Sequence, residues 1–154
     1  MRPTPDRVRE TLFNWLGQDL SGASTLELYA GTGVLSLEAQ SRGASLSVAV
    51  DRDAVLVRAL DQAASTLGIT SIETHVAEAL RYVARESRAF DVVFLDPPFG
   101  DDPWPELFAA LSRRIAAGGR VYAEAGRKLE PPPGWLTHRH ARAGHVHYHL
   151  LSPE

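Results

Sequence analysis

Phe90-Asp91-Val92-Val93-Phe94-Leu95-Asp96-Pro97-Pro98-Phe99 is the stretch on which the fold of this chain turns. Mostly apolar, β-prone residues run without alternation into an acidic residue, two prolines and an aromatic ring. A strand buried on both faces, as in a parallel sheet, carries this pattern. Pro97 and Pro98 stop it, since neither can donate a ladder hydrogen bond and each fixes its own φ. Asp96 is therefore predicted at the carboxyl end of a central strand, with Phe99 held just beyond by a stiff turn. Ligands of open α/β sheets bind at that edge. A carboxylate and an aromatic ring there suit a flat substrate that donates hydrogen bonds.

Working outward, the chain alternates strands with helices. A helix is predicted over residues 5–17, with Thr4 as N-cap, Pro5 at the first helical position and Gly17 as its stop. A strand at Thr25–Tyr29 leads through Ala30-Gly31-Thr32-Gly33 into a helix from Val34 to Arg42. A second strand, Leu46–Val50, ends at Asp51, and the next helix carries Leu56, Leu60, Ala63 and Leu67 on one face. A strand at Ile72–Val76 precedes a helix starting near Ala79. After the Asp96 strand come a helix over Trp104–Ala116 and a strand over Arg120–Ala125. Trp135–Ala141 and His145–Leu151 alternate like an antiparallel hairpin around Gly144. This order predicts a doubly wound α/β sheet closing on a hairpin. Residues 1–154 read as a single domain, with the proline-rich Glu130–Gly134 as a rigid connection inside it.

Composition removes several function classes. No apolar run is long enough to span a bilayer, and no cationic start leads into an apolar segment, so a cytoplasmic protein with no membrane partner is expected. The absence of cysteine excludes disulfides and thiolate metal sites. A formal net charge of −3 means that nucleic-acid contacts must come from local patches. Arg2, Arg7 and Arg9 form one such group, either a solvated helix start or a phosphate-contacting patch.

Gly31 and Gly33 follow a buried strand and let the backbone turn tightly beside a ligand. Asp51, at the end of the next strand, is placed to accept both hydroxyls of a ribose. A dinucleotide site would share these features, but Ser36 stands where its fingerprint has a third glycine. Glu27, inside the preceding strand, would repel a pyrophosphate and favours a cationic ligand, such as the amino group and sulfonium of S-adenosylmethionine. Glu78 is placed to accept from an adenine amine, or to sit on the surface.

Three motifs in order give the chain a family resemblance. Glu27-Leu-Tyr-Ala-Gly-Thr-Gly33 resembles motif I of class I S-adenosylmethionine methyltransferases, and Asp96-Pro-Pro-Phe99 resembles their amino-methylating motif IV. Together with Arg2-Pro-Thr-Pro-Asp-Arg-Val-Arg-Glu-Thr-Leu-Phe13 and Gly31 through Ala44, nearly the whole chain is similar to the bacterial small-subunit ribosomal RNA guanine-N2 methyltransferases. The resemblance implies a Rossmann-like fold with a mostly parallel seven-stranded sheet, a C-terminal antiparallel hairpin and helices on both faces. It implies S-adenosylmethionine as cofactor, held by Glu27, Tyr29, Ala30, Gly31, Gly33, Asp51, Arg52, Glu78, Ala79 and Asp96. Glu78 departs from the family's usual aspartate or asparagine. Asp96, Pro97, Pro98 and Phe99 would act on the base, and Arg2, Arg7 and Arg9 on RNA phosphates. The implied partner is 16S ribosomal RNA within a small-subunit assembly intermediate, met by a monomer. Family members usually carry a short basic strand hairpin before the Arg-Pro-Thr segment, where this chain starts; the expectation is a trimmed piece or weaker RNA binding.

The chemistry of Asp-Pro-Pro-Phe fits an exocyclic amine, whose lone pair is delocalised into its ring. The Asp96 carboxylate and the Pro97 carbonyl can grip its hydrogens and free that lone pair, while Phe99 stacks on the base. Guanine offers two adjacent donors, N1–H and N2, to an acceptor-only aspartate; adenine offers an acceptor beside its amine. The reading tilts to guanine. An adenine amino-methylase, a protein glutamine methylase and a non-catalytic cofactor-binding RNA module are the rivals. In the tail, His138 and His140 share one face of their strand, as do His145, His147 and His149 of theirs, and these are read as the wetter face of an edge hairpin with no functional metal.

Overall fold

In the computed structural model of the chain, residues 6–98, 100 and 102–154 are described. Arg2, Thr4, Pro5 and Phe99 lie outside them. The elements in order are α1 (Asp6–Leu16), β1 (Ser24–Leu28), α2 (Val34–Ser41), β2 (Leu46–Asp51), α3 (Ala54–Thr66) and β3 (Ile72–Val76). They continue with α4 (Ala79–Arg85), β4 (Phe90–Leu95), α5 (Trp104–Leu111), β5 (Ile115–Ala125), β6 (Trp135–Ala143) and β7 (Val146–Pro153).

The strands form one seven-stranded sheet in the order β3-β2-β1-β4-β5-β7-β6. Pairings from β3 through β5 are parallel, and β7 and β6 run antiparallel at the far end. Central β4 buries Phe90, Val92, Val93, Phe94 and Leu95, as a mostly apolar run without alternation requires. One face packs against α1 and α2 through Val8, Leu12, Phe13, Leu35 and Ala39 over Val92, Phe94, Tyr122 and Tyr148. The opposite face packs against α4 and α5 through Tyr82, Val83, Leu107, Phe108 and Leu111. Leu60 of α3 closes on Ala30 and Ala49.

Three local expectations change. The helix predicted to Ala116 ends at Leu111, because the Arg114 amide turns back to Leu111 at 2.9 Å and Ile115 already pairs with Phe90. A register shift follows, and Gly119 is needed there: a Cβ would meet the Ala116 carbonyl at 2.8 Å and the Asp91 carbonyl at 3.0 Å. On α3 the buried stripe is Val57, Leu60 and Ala64, and Leu67 is exposed. The hairpin also differs. Only β6 is an edge; β7 is covered on both sides, so His149 is fully buried rather than on a wet face. Among the described residues no helix is long and apolar enough to cross a membrane.

Candidate active site

The strand order reverses direction between β1 and β4, and ligand crevices of open sheets form at such a reversal. A cavity of about 1070 Å³ opens there, at the carboxyl ends of four parallel strands. Tyr29 comes from the end of β1, Asp51 from β2, Ala77 and Glu78 from the end of β3, and Asp96 and Pro97 from the end of β4. Tyr29 has φ 58°, a left-handed conformation that costs a non-glycine residue on the order of 1 kcal/mol. That strain turns the chain out of β1 and leaves Tyr29 on the cavity wall.

The glycine loop is tied to the second strand. The Gly31 amide donates to Asp51 Oδ2 at 2.8 Å, and the Asp53 amide donates to Oδ1 at 2.9 Å. The Asp51 carboxylate is thus fixed by two loops while still lining the cavity. Gly33 has φ 74°, and a Cβ on it would lie 2.5 Å from a Leu60 methyl, so both conformation and space demand glycine. Glu27 accepts from the Ser36 amide at 3.0 Å and the Ser36 hydroxyl at 2.6 Å, which anchors the start of α2 to β1. Burial raises its pKa to about 7, opposed by the Ser36 bonds and reinforced by the charge of Asp96. Glu27, Ala30, Gly31 and Gly33 are not among the residues lining this cavity; they shape the loop behind it.

Of the other expected cofactor residues, Arg52, Glu78 and Ala79 all line the cavity. Glu78 is the N-cap of α4, accepting from the Leu80 amide at 2.8 Å and the Arg81 amide at 3.3 Å. The charge of the lining is one-sided. Among the described residues of the lining, Asp51, Asp53, Glu78, Asp96, Asp102 and Glu106 face one guanidinium, that of Arg52. Such a wall repels phosphate and attracts cations, which fits a sulfonium and an ammonium and disfavours a dinucleotide.

Asp96 is half-buried, Pro97 buried and Pro98 exposed. Two successive prolines remove two N–H groups, so the turn after β4 presents acceptors without competing backbone donors. This is the environment that a substrate amine needs. A second cavity of about 280 Å³ adjoins the first through Pro97, Pro98, Gly100 and Asp102, and adds Glu124 and Arg127. Sequence reasoning passed over Glu124, although a glutamate within the apolar Val121–Ala125 run carries the same signal that drew attention to Glu27.

The basic group is only partly assembled among the described residues. Arg7 is exposed, while Arg9 pairs with Asp6 at 2.7 Å and approaches Glu38 at 3.9 Å. In the tail, His140 and His147 are hydrogen-bonded at 2.9 Å, and His138 meets the Ser152 hydroxyl at 2.7 Å. His149 accepts from the Leu129 amide at 3.0 Å and donates through Nδ1 to the Ala123 carbonyl at 3.1 Å. Burial chiefly lowers its pKa, to about 4, with His140, His147 and Lys128 adding repulsion. Among the described residues no group of three or more histidine or acidic side chains is arranged to hold a metal.

Comparison with known proteins agrees with this geometry. The family model described as conserved hypothetical protein 95 matches residues 1–152. Ribosomal RNA small subunit methyltransferase D of Escherichia coli K12 is 34% identical over 161 residues, covering 100% of this chain and 80% of that protein. The solved structure of the Escherichia coli protein yhhF, described as a methyltransferase, superposes with a TM-score of 0.92 at 34% identity, covering 100% of this chain and 88% of that one. A Haemophilus influenzae methylase crystal structure gives a TM-score of 0.86 at 31% identity, covering 98% and 99%. The chain belongs to the conserved hypothetical protein 95 family, on the Rossmann-like methyltransferase fold of its relatives named ribosomal RNA small subunit methyltransferase D.

Proposed function

We propose that this protein transfers a methyl group from S-adenosylmethionine to the exocyclic N2 amine of a guanine in 16S ribosomal RNA. The observation that carries the reading is Asp96-Pro97 at the end of β4, an acceptor-only turn on the wall of an acidic cleft at the strand-order reversal. When bound, S-adenosylmethionine supplies an electrophilic methyl on a sulfonium that departs as a neutral thioether. The chain's own residues do the rest. Asp51 accepts from the ribose, and the acidic wall holds the cationic end. Glu27 fixes the loop beside it through Ser36.

On the substrate side, the Asp96 carboxylate and the Pro97 carbonyl each take one hydrogen of the amine, leaving its lone pair directed at the methyl. Methylation would leave the nitrogen cationic, and Asp96 would take one of its protons. Positioning and electrostatics supply most of the acceleration, since the leaving group needs no acid. Phe99 stacks on the base, and Arg2, Arg7 and Arg9 contact RNA phosphates. The relatives' names support ribosomal RNA of the small subunit as the substrate. Because the formal net charge is −3, the reading places the substrate in a protein-bearing assembly intermediate, met by a cytoplasmic monomer.

The test compares wild type with Asp96→Ala for labelled methyl transfer into small ribosomal subunits, with cofactor binding measured separately. The variant is expected to bind cofactor and transfer nothing. Near-normal turnover by the variant would overturn the assignment of Asp96.

A further inference from the structure

Next to Asp96 the fold buries a second carboxylate that the mechanism above leaves unused. Glu124 of β5 is 1% exposed. Leu95 pairs with Ala123 across the parallel β4–β5 ladder, so the next residues, Asp96 and Glu124, lie side by side at the carboxyl edge. Strands in a ladder stand about 4.8 Å apart. The Tyr122 hydroxyl donates to Glu124 Oε1 at 2.6 Å. Burial, with the nearby Glu124 and Asp96 charges, pushes the Tyr122 phenol up, so it stays a donor.

The other oxygen, Oε2, meets no hydrogen-bond donor among the described residues. At 1% exposure Glu124 keeps only a sliver of its surface open to space. That space is the smaller cavity, which Glu124 lines with Arg127 and which joins the main cleft at Pro97 and Pro98. A carboxylate buried this deeply is costly unless its lone pairs are filled, and one tyrosine fills only part of that need.

We propose that Glu124 reads the target base, its Oε2 accepting the N1–H of guanine while Asp96 and the Pro97 carbonyl hold the N2 amine. This rests on the guanine reading above. Two neighbouring carboxylates then match two neighbouring donors, N1–H and N2, along one edge of the base. Adenine would turn its N1 lone pair toward Glu124, an acceptor against an acceptor, and be rejected. Tyr122 serves as the positioning residue, fixing the Glu124 carboxylate so that Oε2 faces outward.

The experiment uses a small-subunit assembly intermediate reconstituted on 16S RNA that is ligated around the nucleotide the wild-type enzyme methylates, mapped first. The RNA is made with guanosine or with 2,6-diaminopurine riboside at that position. The second base keeps the N2 amine but has an acceptor at N1. Glu124→Gln keeps an acceptor for Tyr122 and turns an amide donor outward. Wild type is expected to prefer guanosine by about 100-fold in kcat/KM. The variant should lose about that factor on guanosine and gain on diaminopurine, reversing the preference.

An unchanged preference in a folded Glu124→Gln protein would overturn the proposal and leave N1–H to Asp96. Should the variant not fold, wild-type crystals with guanosine and S-adenosylhomocysteine decide. A Glu124 oxygen within hydrogen-bond reach of N1, about 3 Å, supports the proposal, and no such contact overturns it. Failure of wild type to form N2-methylguanosine would remove the guanine reading and this assignment together, and it is visible without any variant.

Discussion

Gly31 and Asp51 are joined across the ends of two neighbouring strands, the glycine amide donating to the aspartate Oδ2 at 2.8 Å. The bond makes the glycine turn and the expected ribose acceptor one rigid unit. Asp51→Asn should therefore weaken S-adenosylmethionine binding by roughly 10- to 100-fold, the worth of a hydrogen bond to a charged group. Calorimetric titration of wild type and variant measures this, and equal affinities would remove Asp51 from the site.

Gly33→Ala should destabilise the fold by roughly 2 kcal/mol or more, through a left-handed backbone and the collision with Leu60. Adding Leu60→Ala relieves the collision but not the backbone strain. Urea denaturation of both variants should show partial rescue at most, and complete rescue would mean that the backbone carries no cost.

Glu27 titrates from 4.5 in the unfolded chain to about 7 in the folded one. Between those values the folded state keeps a proton that the unfolded state releases, so stability falls as pH rises through this window. The total is roughly 3 kcal/mol. Glu27→Gln keeps an acceptor for Ser36 and lacks the titration. Its melting temperature should gain on wild type from pH 4.5 to pH 7.5, whereas a constant difference would contradict the raised value.

His149 runs the other way. Its pKa falls from 6.5 to about 4 on folding, so its contribution is present above pH 6.5 and is lost as pH drops toward 4. His149→Leu orphans the Leu129 amide, at a cost of about 1–3 kcal/mol. The variant should be less stable than wild type at pH 7.5, with the gap narrowing by pH 5. A gap that widens on acidification would refute the buried neutral imidazole.

The central sheet was legible because β4 and β2 are mostly apolar, non-alternating runs that lead into an acidic residue, a pattern that burial on both faces imposes. Asp51, Arg52, Glu78, Asp96 and Pro97 lie on the cavity wall. What the sequence hid depends on contacts between distant segments. Alternation alone placed the histidines on an edge, but β7 inserts between β5 and β6, a matter of strand order that local pattern does not encode. Ile115 reads as helix until its pairing with Phe90 is known. Glu124 gains meaning only from standing beside Asp96, 28 residues earlier in the chain.

The most direct measurement is transfer of labelled methyl from S-adenosylmethionine into small ribosomal subunits from cells lacking this enzyme, followed by digestion to nucleosides. The account predicts label in N2-methylguanosine alone, absent with Asp96→Ala. Label in N6-methyladenosine, or none at all from a cofactor-binding wild-type protein, would contradict it.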